Sequence, residues 1–558
     1  MRWTFGLLVL ISFLVPLQQS EIGRIDFPTS GRPDAQAHFI RGVLWFYNFG
    51  YDDAIEEFRE AQRLDPEFAM AYWGEALSYN QPVWFTQNLD AARAVLARLG
   101  PTPDARAAKA PTPREKAYLH AVEMLYGDGA KEARDTAYAD AMRDLSAKYP
   151  DDLEAACLYA FALLGTVALG QHDAPAAMKA GEIAEIIFQK NARHPGAAHA
   201  IIHAFDDRDH AARALPAAHA YAQIAPQSSH ARHMPAHIFL QLGMWDEAAA
   251  ADRASWNVSI DRVRTRGLSI AERDYHSLSW LVYECLQQGK FAAARDAIKS
   301  FEEALATGDP RRRDELATVR AYYTVESEDW PQITSRSSYD NADELFALGL
   351  GAAMGGNTDR AQVVLDTMRR LAQTDPEPGR RVLEIIMERQ LTALVEMVEG
   401  RVDAALIAAA EAAREEDALP RPVGRARPVK PSHELLGELL LRAGRPAEAA
   451  SQFERSLWRA ANRSRSVLGL ARAVRDQKDL AAARRHYAQF LKNWHAADQG
   501  RAELKEARAS VTPRQSKPAA RSSATRDDGR GSKDPPASAQ SHIGPVTLAA
   551  TRTSTRSR

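Results

Sequence analysis

Eight of the chain's 16 histidines fall in residues 194–237, which contain the stretches HPGAAHAIIHAF and HARHMPAHIF. His199 and His203 are four residues apart there, and so are His233 and His237. Residues at i and i+4 share one face of a helix. Imidazole is a favoured ligand of Zn, Cu, Fe and Ni, and helical zinc sites use two histidines one turn apart. The two pairs therefore indicate a metal site, which with open positions could also activate water.

Other chemistry finds little support in the sequence. No Glu stands between the histidines of either pair, so the zinc-protease pattern does not apply. We find no Ser/His/Asp elbow, Gly-rich phosphate loop or CxxC motif in a convincing context. Cys157 and Cys285 are the only cysteines, and both lie in apolar helical patterns, which predicts two buried thiols and excludes a disulfide framework. The alternative role for the histidines is to line a groove and hydrogen-bond a peptide.

The elements that position these histidines follow a 34-residue period. The stretch AHFIRGVLWFYNFGYDDAIEEFREAQRLDP predicts a helical hairpin, in which Gly50 separates the helices and Pro66 closes the unit. Small residues at Gly42 and Ala54 allow the helices to approach closely. His233 and His237 lie 34 residues after His199 and His203, so the His-x-x-x-His pair recurs in register on adjacent first helices.

The same register recurs along the chain and predicts about eight or nine units, some degenerate, in an all-α fold. Chance amphipathic helices would drift out of register. The matching positions are Ala248; Ala294, Ile298 and Phe301; Gly349, Ala361, Leu365 and Met368; Gly437, Ala449 and Phe453; and Ala471, Ala483, Tyr487 and Phe490.

The hairpins resemble the tetratricopeptide repeat (TPR), which implies a TPR-type α-solenoid of stacked helical hairpins. The chain also resembles a group of exported bacterial TPR proteins over roughly residues 35–495, through AMAYWGEAL, HPGAAH…IH, HMPAHIF and ELLGELLL. No settled activity attaches to that group. In TPR arrays the second, fifth, ninth and twelfth positions of first helices face the concave groove. The resemblance thus gathers a candidate metal set: His199, His203, His233, His237, His230, His276 and Asp206.

Asp206 enters this set as a ligand or as a carboxylate that orients a ligand histidine. Pro235 lies between His233 and His237 and threatens the i,i+4 geometry of that pair. His210 and His219 fall outside the groove-facing positions, the first in a loop and the second on a helix surface. The metal, if present, would be a divalent transition metal: Zn, Cu or Fe.

Two functional hypotheses follow. The first is an exported solenoid that binds a protein or peptide in its concave groove, with the histidines as a metal-binding patch. Apolar anchors for such a partner could come from Trp45, Trp73, Tyr79 and Trp84. The second is a metal-dependent enzyme, a hydrolase or an oxidoreductase, that uses the histidine cluster. The net charge of -2 gives no reason to expect nucleic acid as a partner.

Both ends of the chain differ from the repeats. Arg2 followed by an apolar run over residues 5–15 predicts a secretory signal peptide, with an uncleaved anchor as the alternative, and hence a periplasmic or secreted protein. Residues 508–558 hold ten Lys or Arg against three Asp and predict a disordered basic tail. The Pro-rich stretch 419–432 predicts an exposed loop with Ser432 as the N-cap of the next helix.

These features divide the chain into segments. The predicted boundaries are 1–20 for the signal peptide, 35–100 for N-terminal TPR units, 114–305 for the central array with the histidine cluster, 315–416 for TPR-like units, 432–506 for a C-terminal TPR pair and 510–558 for the tail.

Overall fold

The computed structural model describes residues 22–168, 171, 174–334 and 338–512, leaving out the side chains of 332 and 334. The predicted signal peptide lies outside the described residues. So does the predicted tail from residue 513 onward, whereas residues 510–512 end the last helix and its cap. None of the described helices combines the length and apolar character needed to cross a bilayer.

The described chain is built almost entirely from α-helices, as predicted. Its first part contains α1 (Pro33–Tyr47), α2 (Tyr51–Leu64), α3 (Ala69–Leu77), β1 (Asn80–Gln81), β2 (Thr86–Gln87), α4 (Leu89–Leu99), α5 (Pro103–Ala108), α6 (Pro113–Leu125), α7 (Lys131–Lys148), α8 (Leu153–Leu164) and α9 (Pro175–Lys190). β1 and β2 form a two-residue antiparallel ladder, and a 3-10 turn (Pro82–Trp84) lies between them.

The central part supplies the predicted histidine cluster. It contains α10 (Pro195–Ala204), α11 (Ala211–Ile224), α12 (Ser229–Gln241), α13 (Trp245–Arg266), a 3-10 turn (Ile270–Glu272), α14 (Tyr275–Gln287), α15 (Phe291–Leu305), α16 (Arg311–Ser327) and α17 (Trp330–Thr334). The final part contains α18 (Ala342–Met354), α19 (Thr358–Thr374), α20 (Pro378–Val398), α21 (Val402–Asp417), α22 (Ser432–Arg442), α23 (Pro446–Arg459), α24 (Ser464–Asp476), α25 (Leu480–Asn493) and α26 (Ala502–Val511).

The repeat contact is the same in units far apart along the chain. Phe58 on α2 packs against Gly42 on α1, where an added Cβ would lie 2.7 Å from its ring, and against Gly74 on α3, where it would lie closer still. Phe453 on α23 packs likewise between a glycine of α22 and one of α24, with a Cβ at Gly437 placed 2.9 Å from its ring. Consecutive helices pack along the chain as a TPR-type α-solenoid, as predicted.

The last units also pack against the central ones. The Asn462 side chain donates to the carbonyl of Gly243 over 2.8 Å, and the Asp498 backbone N–H donates to the carbonyl of Gly289 over 3.0 Å. The Ser464 hydroxyl donates to the carbonyl of Gln287 over 2.5 Å. These contacts join α12–α15 to α23–α26, and the described residues between 22 and 512 belong to one compact unit.

The Pro-rich linker is not the exposed loop that its composition predicts. Val429 and Lys430 are buried, and Tyr322 donates to the carbonyl of Ala426 over 2.6 Å. The linker folds inward because its charges meet carboxylates, such as Glu438 at 2.6 Å from Lys430 Nζ. Ser432 is not the predicted N-cap: it is the first residue of α22, and its backbone N–H donates to Glu416.

Candidate metal centre

Three successive first helices bring the six predicted histidines together. α10 supplies His199 and His203, α12 supplies His230, His233 and His237, and α14 supplies His276. The repeat is the cause, because equivalent positions of stacked hairpins lie side by side. The pairs of α10 and α12 are 34 residues apart, whereas His276 of α14 follows His230 after a longer unit of 46 residues. His199 and His233 are almost completely buried, whereas His276 is the most exposed of the six.

Each of these helices begins at a side-chain cap that fixes where its histidines fall. His194 accepts from the Ala197 N–H over 3.1 Å ahead of α10, where Pro195 occupies the first turn. Ser228 accepts from the N–H of Ala231 at the start of α12, and Asp274 accepts from that of Ser277 in α14.

The six imidazoles form two triads. The first triad is His199, His203 and His230, and the second triad is His233, His237 and His276. Within each triad, one ring nitrogen of every histidine lies within 4.8 Å of the others. The two triads are neighbours, since the rings of His203 and His237 have centroids 6.2 Å apart and those of His230 and His233 are 6.3 Å apart.

In the first triad a backbone carbonyl fixes one tautomer. His199 Nδ1 lies 2.7 Å from the carbonyl oxygen of Tyr47, which can only accept, so Nδ1 carries the proton and Nε2 carries the lone pair. That Nε2 lies 3.0 Å from Nε2 of His230. Phe49 packs on both rings. Burial lowers the pKa of His199 and of His230 well below the usual value, which favours neutral imidazole.

In the second triad, two buried carboxylates rather than a backbone carbonyl contact the Nδ1 atoms. His233 Nδ1 lies 2.5 Å from Asp252, and His237 Nδ1 lies 2.6 Å from Asp206. The two Nε2 atoms are 3.0 Å apart. Burial lowers the pKa of both imidazoles, although the Asp206 charge opposes the shift.

The inward-facing nitrogens of the second triad are placed to share a cation. Where both Nδ1 atoms donate outward to ionised carboxylates, each neutral ring turns a lone pair inward. A proton or a metal ion between the two Nε2 atoms, which are 3.0 Å apart, relieves the repulsion of these lone pairs. This arrangement matches metal-bound histidines, whose second ring nitrogen donates to a carboxylate or a backbone carbonyl.

The carboxylate behind His233 has a second buried carboxyl beside it. Burial raises the pKa of Glu284, and the Asp252 charge raises it further. Burial also raises the pKa of Asp252, and its interaction with Glu284 opposes that rise.

A cavity of about 130 Å³ adjoins both triads. Four of the histidines border it together with Asp206, and most of the remaining wall is apolar. The apolar lining consists of Val83, Trp84, Leu164, Val167, Ala168, Ala177, Met234, Trp280 and Val423. Val423 comes from the linker between α21 and α22, so that linker covers part of the site.

The structure brings all seven predicted residues together, with Asp206 behind His237 rather than inside a triad. α12 runs without interruption through Pro235, and His233 stays paired with His237. His210 bonds to Asp207 at the start of α11 and His219 lies exposed, so both are outside the triads as predicted. The thiols of both cysteines are buried and free, also as predicted.

Sequence reasoning missed the residues that orient the imidazoles. Asp252 and Glu284 lie on α13 and α14 at no repeating spacing from the histidines, and Tyr47 acts through its backbone carbonyl. A single acidic residue in a helical segment does not by itself indicate a contact with a histidine. An acidic residue at the equivalent position of the neighbouring repeat would have indicated one.

The solved structures that resemble the chain include tetratricopeptide repeat proteins. No family model and no curated protein matches the chain. A TPR protein from Parabacteroides merdae is 14% identical, with a TM-score of 0.29, over 51% of this chain and 100% of that one. The Cut9–Hcn1 hetero-tetramer of APC/C is 12% identical (TM-score 0.28) over 88% of this chain and 79% of that one. The P58(IPK) TPR domain is 14% identical (TM-score 0.23) over 80% and 98%.

Proposed function

We propose that this chain is a metalloprotein in which the two triads hold two transition-metal ions side by side. One observation carries the proposal: in each triad a pair of Nε2 atoms faces inward at 3.0 Å while an Nδ1 of that pair is held from outside. Hydrogen bonding alone can satisfy one such pair, but it gives no reason for a third imidazole beside each.

The distances suit metal coordination. Two nitrogens about 2.0–2.1 Å from one ion, at an angle of about 95°, lie about 3.0 Å apart. The third nitrogen of each triad lies within 4.8 Å of the others and reaches the ion by a small ring movement. Three protein ligands leave a coordination position open on each ion, as in catalytic rather than structural sites.

The type of donor atom also limits which metals suit the site. Within the described residues, both triads contain imidazole alone, without carboxylate or thiolate. Magnesium, calcium and manganese prefer oxygen donors, whereas imidazole suits zinc, copper, iron and nickel. Enzymatic use of the centre, as hydrolase or oxidoreductase, fits the open positions and the adjoining cavity.

Metal content tests the proposal. The purified chain, reconstituted and dialysed, should retain about two ions by mass spectrometry, and His203→Ala with His237→Ala should retain almost none because each triad loses a ligand. The matched control is His210→Ala with His219→Ala, which should retain two. Absence of metal from the reconstituted wild type, or equal content in the ligand variant, would refute the site.

A protein or peptide partner is a second candidate, favoured by the extended surface of stacked repeats. An open cleft of about 320 Å³ beside His230, bordered by Trp45, Asp53 and Arg262, offers both apolar and charged contacts. A partner bound there should be lost from Trp45→Ala and retained by the His203→Ala/His237→Ala variant. Loss from both variants, or from neither, would argue against this cleft.

A further inference from the structure

We propose that the two ions are copper and that the paired centre binds dioxygen between them. This inference rests on the proposed two-ion function and names its metal and its small-molecule ligand. The observations that carry it are the all-imidazole donor set, the adjacency of the triads and the apolar cavity.

The donor set favours copper. Affinity of nitrogen sites for divalent ions of the first row peaks at copper, and imidazole is a good ligand for it. Iron and manganese pairs in helical proteins are usually held by carboxylates, and neither triad contains one among the described residues. The buried free thiols of Cys157 and Cys285 belong to neither triad.

The geometry places both ions beside one small space. The closest rings of different triads have centroids about 6 Å apart, so one small molecule can contact both ions. The cavity of about 130 Å³ has mainly apolar walls, including Trp84, Met234 and Trp280. The described residues that line it include no Lys or Arg to hold a phosphate or carboxylate substrate. A small neutral molecule such as dioxygen fits this setting.

The binding step balances without a further reactant. Each of two cuprous ions gives one electron to dioxygen, which becomes peroxide bridging two cupric ions. The O–O bond order falls from two to one, no proton is taken up, and release of dioxygen reverses the transfer.

The test uses the full chain loaded with two equivalents of cuprous ion under anaerobic conditions and then exposed to dioxygen. We expect uptake of one dioxygen per two copper ions, with a new near-ultraviolet absorption band that disappears on degassing. Zinc-loaded chain is the metal control and should take up none. The His219→Ala variant is the protein control and should behave as wild type.

A single-ligand variant makes the test specific for the pair. His276→Ala should bind about one copper ion and lose dioxygen uptake, because one ion supplies only one of the two electrons. Two bound copper ions without dioxygen uptake would overturn this inference and leave the proposed function standing. Failure to bind two ions of any of these metals would overturn the proposed function itself. Undiminished uptake by His276→Ala would overturn the paired mechanism.

Discussion

Two regions of this solenoid bury ionisable side chains, and they treat them in opposite ways. Around Arg463, every charge meets an opposite charge: its guanidinium lies 2.8 Å from Glu434 and 2.6 Å from Glu326, and Ser466 donates to Glu434. Around the histidines, Nδ1 of His199, His233 and His237 has a partner, whereas Nε2 atoms face each other in pairs. The first network pairs its charges without a ligand, whereas the second gathers imidazole nitrogens that a metal ion can bridge.

The difference separates a structural cluster from a functional one. Arg463 and Glu434 are both fully buried, and removing either would leave an uncompensated charge. Each triad instead gathers three imidazoles, with one ring nitrogen of each within 4.8 Å of the others. Convergence of ring nitrogens, rather than burial or abundance of polar residues, is therefore the sign of a metal site in this fold.

The largest expected change in stability comes from removing a charge from the network around Arg463. Arg463→Met should lower the free energy of unfolding by about 3–5 kcal/mol, because Glu434 and Glu326 lose their buried partner. Urea denaturation measures it, and Arg445→Met, at an exposed pair with Glu448, should change stability by less than about 0.5 kcal/mol. A loss below about 1 kcal/mol for Arg463→Met would show that the network is not structural.

Titrating one member of that network should have a smaller effect. The Arg463 and Lys430 charges hold the pKa of Glu434 below its usual value against the effect of burial. A lowered pKa in the folded state stabilises the fold above the unfolded pKa of about 4.3, and that stability is lost as the pH falls further. The difference in unfolding free energy between wild type and Glu434→Gln should therefore shrink below about pH 4.5. A difference that grows there would contradict this sign.

Metal bound to the two triads should increase the free energy of unfolding. At a free-ion concentration ten times the dissociation constant, each ion adds about 1.4 kcal/mol to the free energy of unfolding. Thermal denaturation with and without copper measures this gain, and a chelator should reverse it. The His203→Ala/His237→Ala variant should show no gain. An equal gain in that variant would place the metal elsewhere.

The smallest effect should come from the carboxylates behind the ligands. Asp252→Asn should weaken metal binding about 10–100-fold while the triads remain, because the carboxylate orients His233 and raises its basicity. Competition with a chromophoric chelator measures the affinity. Asp246→Asn, at an exposed position on the same helix, is the matched control and should bind as wild type. Equal affinities would show that Asp252 serves folding alone.

The sequence is informative wherever structure repeats locally. The 34-residue period predicted the stacked hairpins, and the register of His199 and His203 against His233 and His237 predicted which side chains meet. Contacts without a period could not be found in this way. Asp252 reaches His233 across a hairpin, and nothing in its spacing announces that contact.

The linker between α21 and α22 is a second case in which the sequence could not reveal a tertiary contact. Its prolines and basic residues are typical of exposed loops, yet Lys430 pairs with Glu434 and Glu438 from the next helix. Charge in a sequence indicates exposure only when no partner is available. Partners supplied by tertiary structure reverse the prediction.

α12 serves both triads, giving His230 to one and His233 and His237 to the other. A rotation of this helix that tightens one triad must also move the other, since all three rings are fixed to the same backbone. Binding of the first ion would then fix the position of α12 and raise the affinity of the other triad for the second ion. The two ions should therefore bind cooperatively rather than independently.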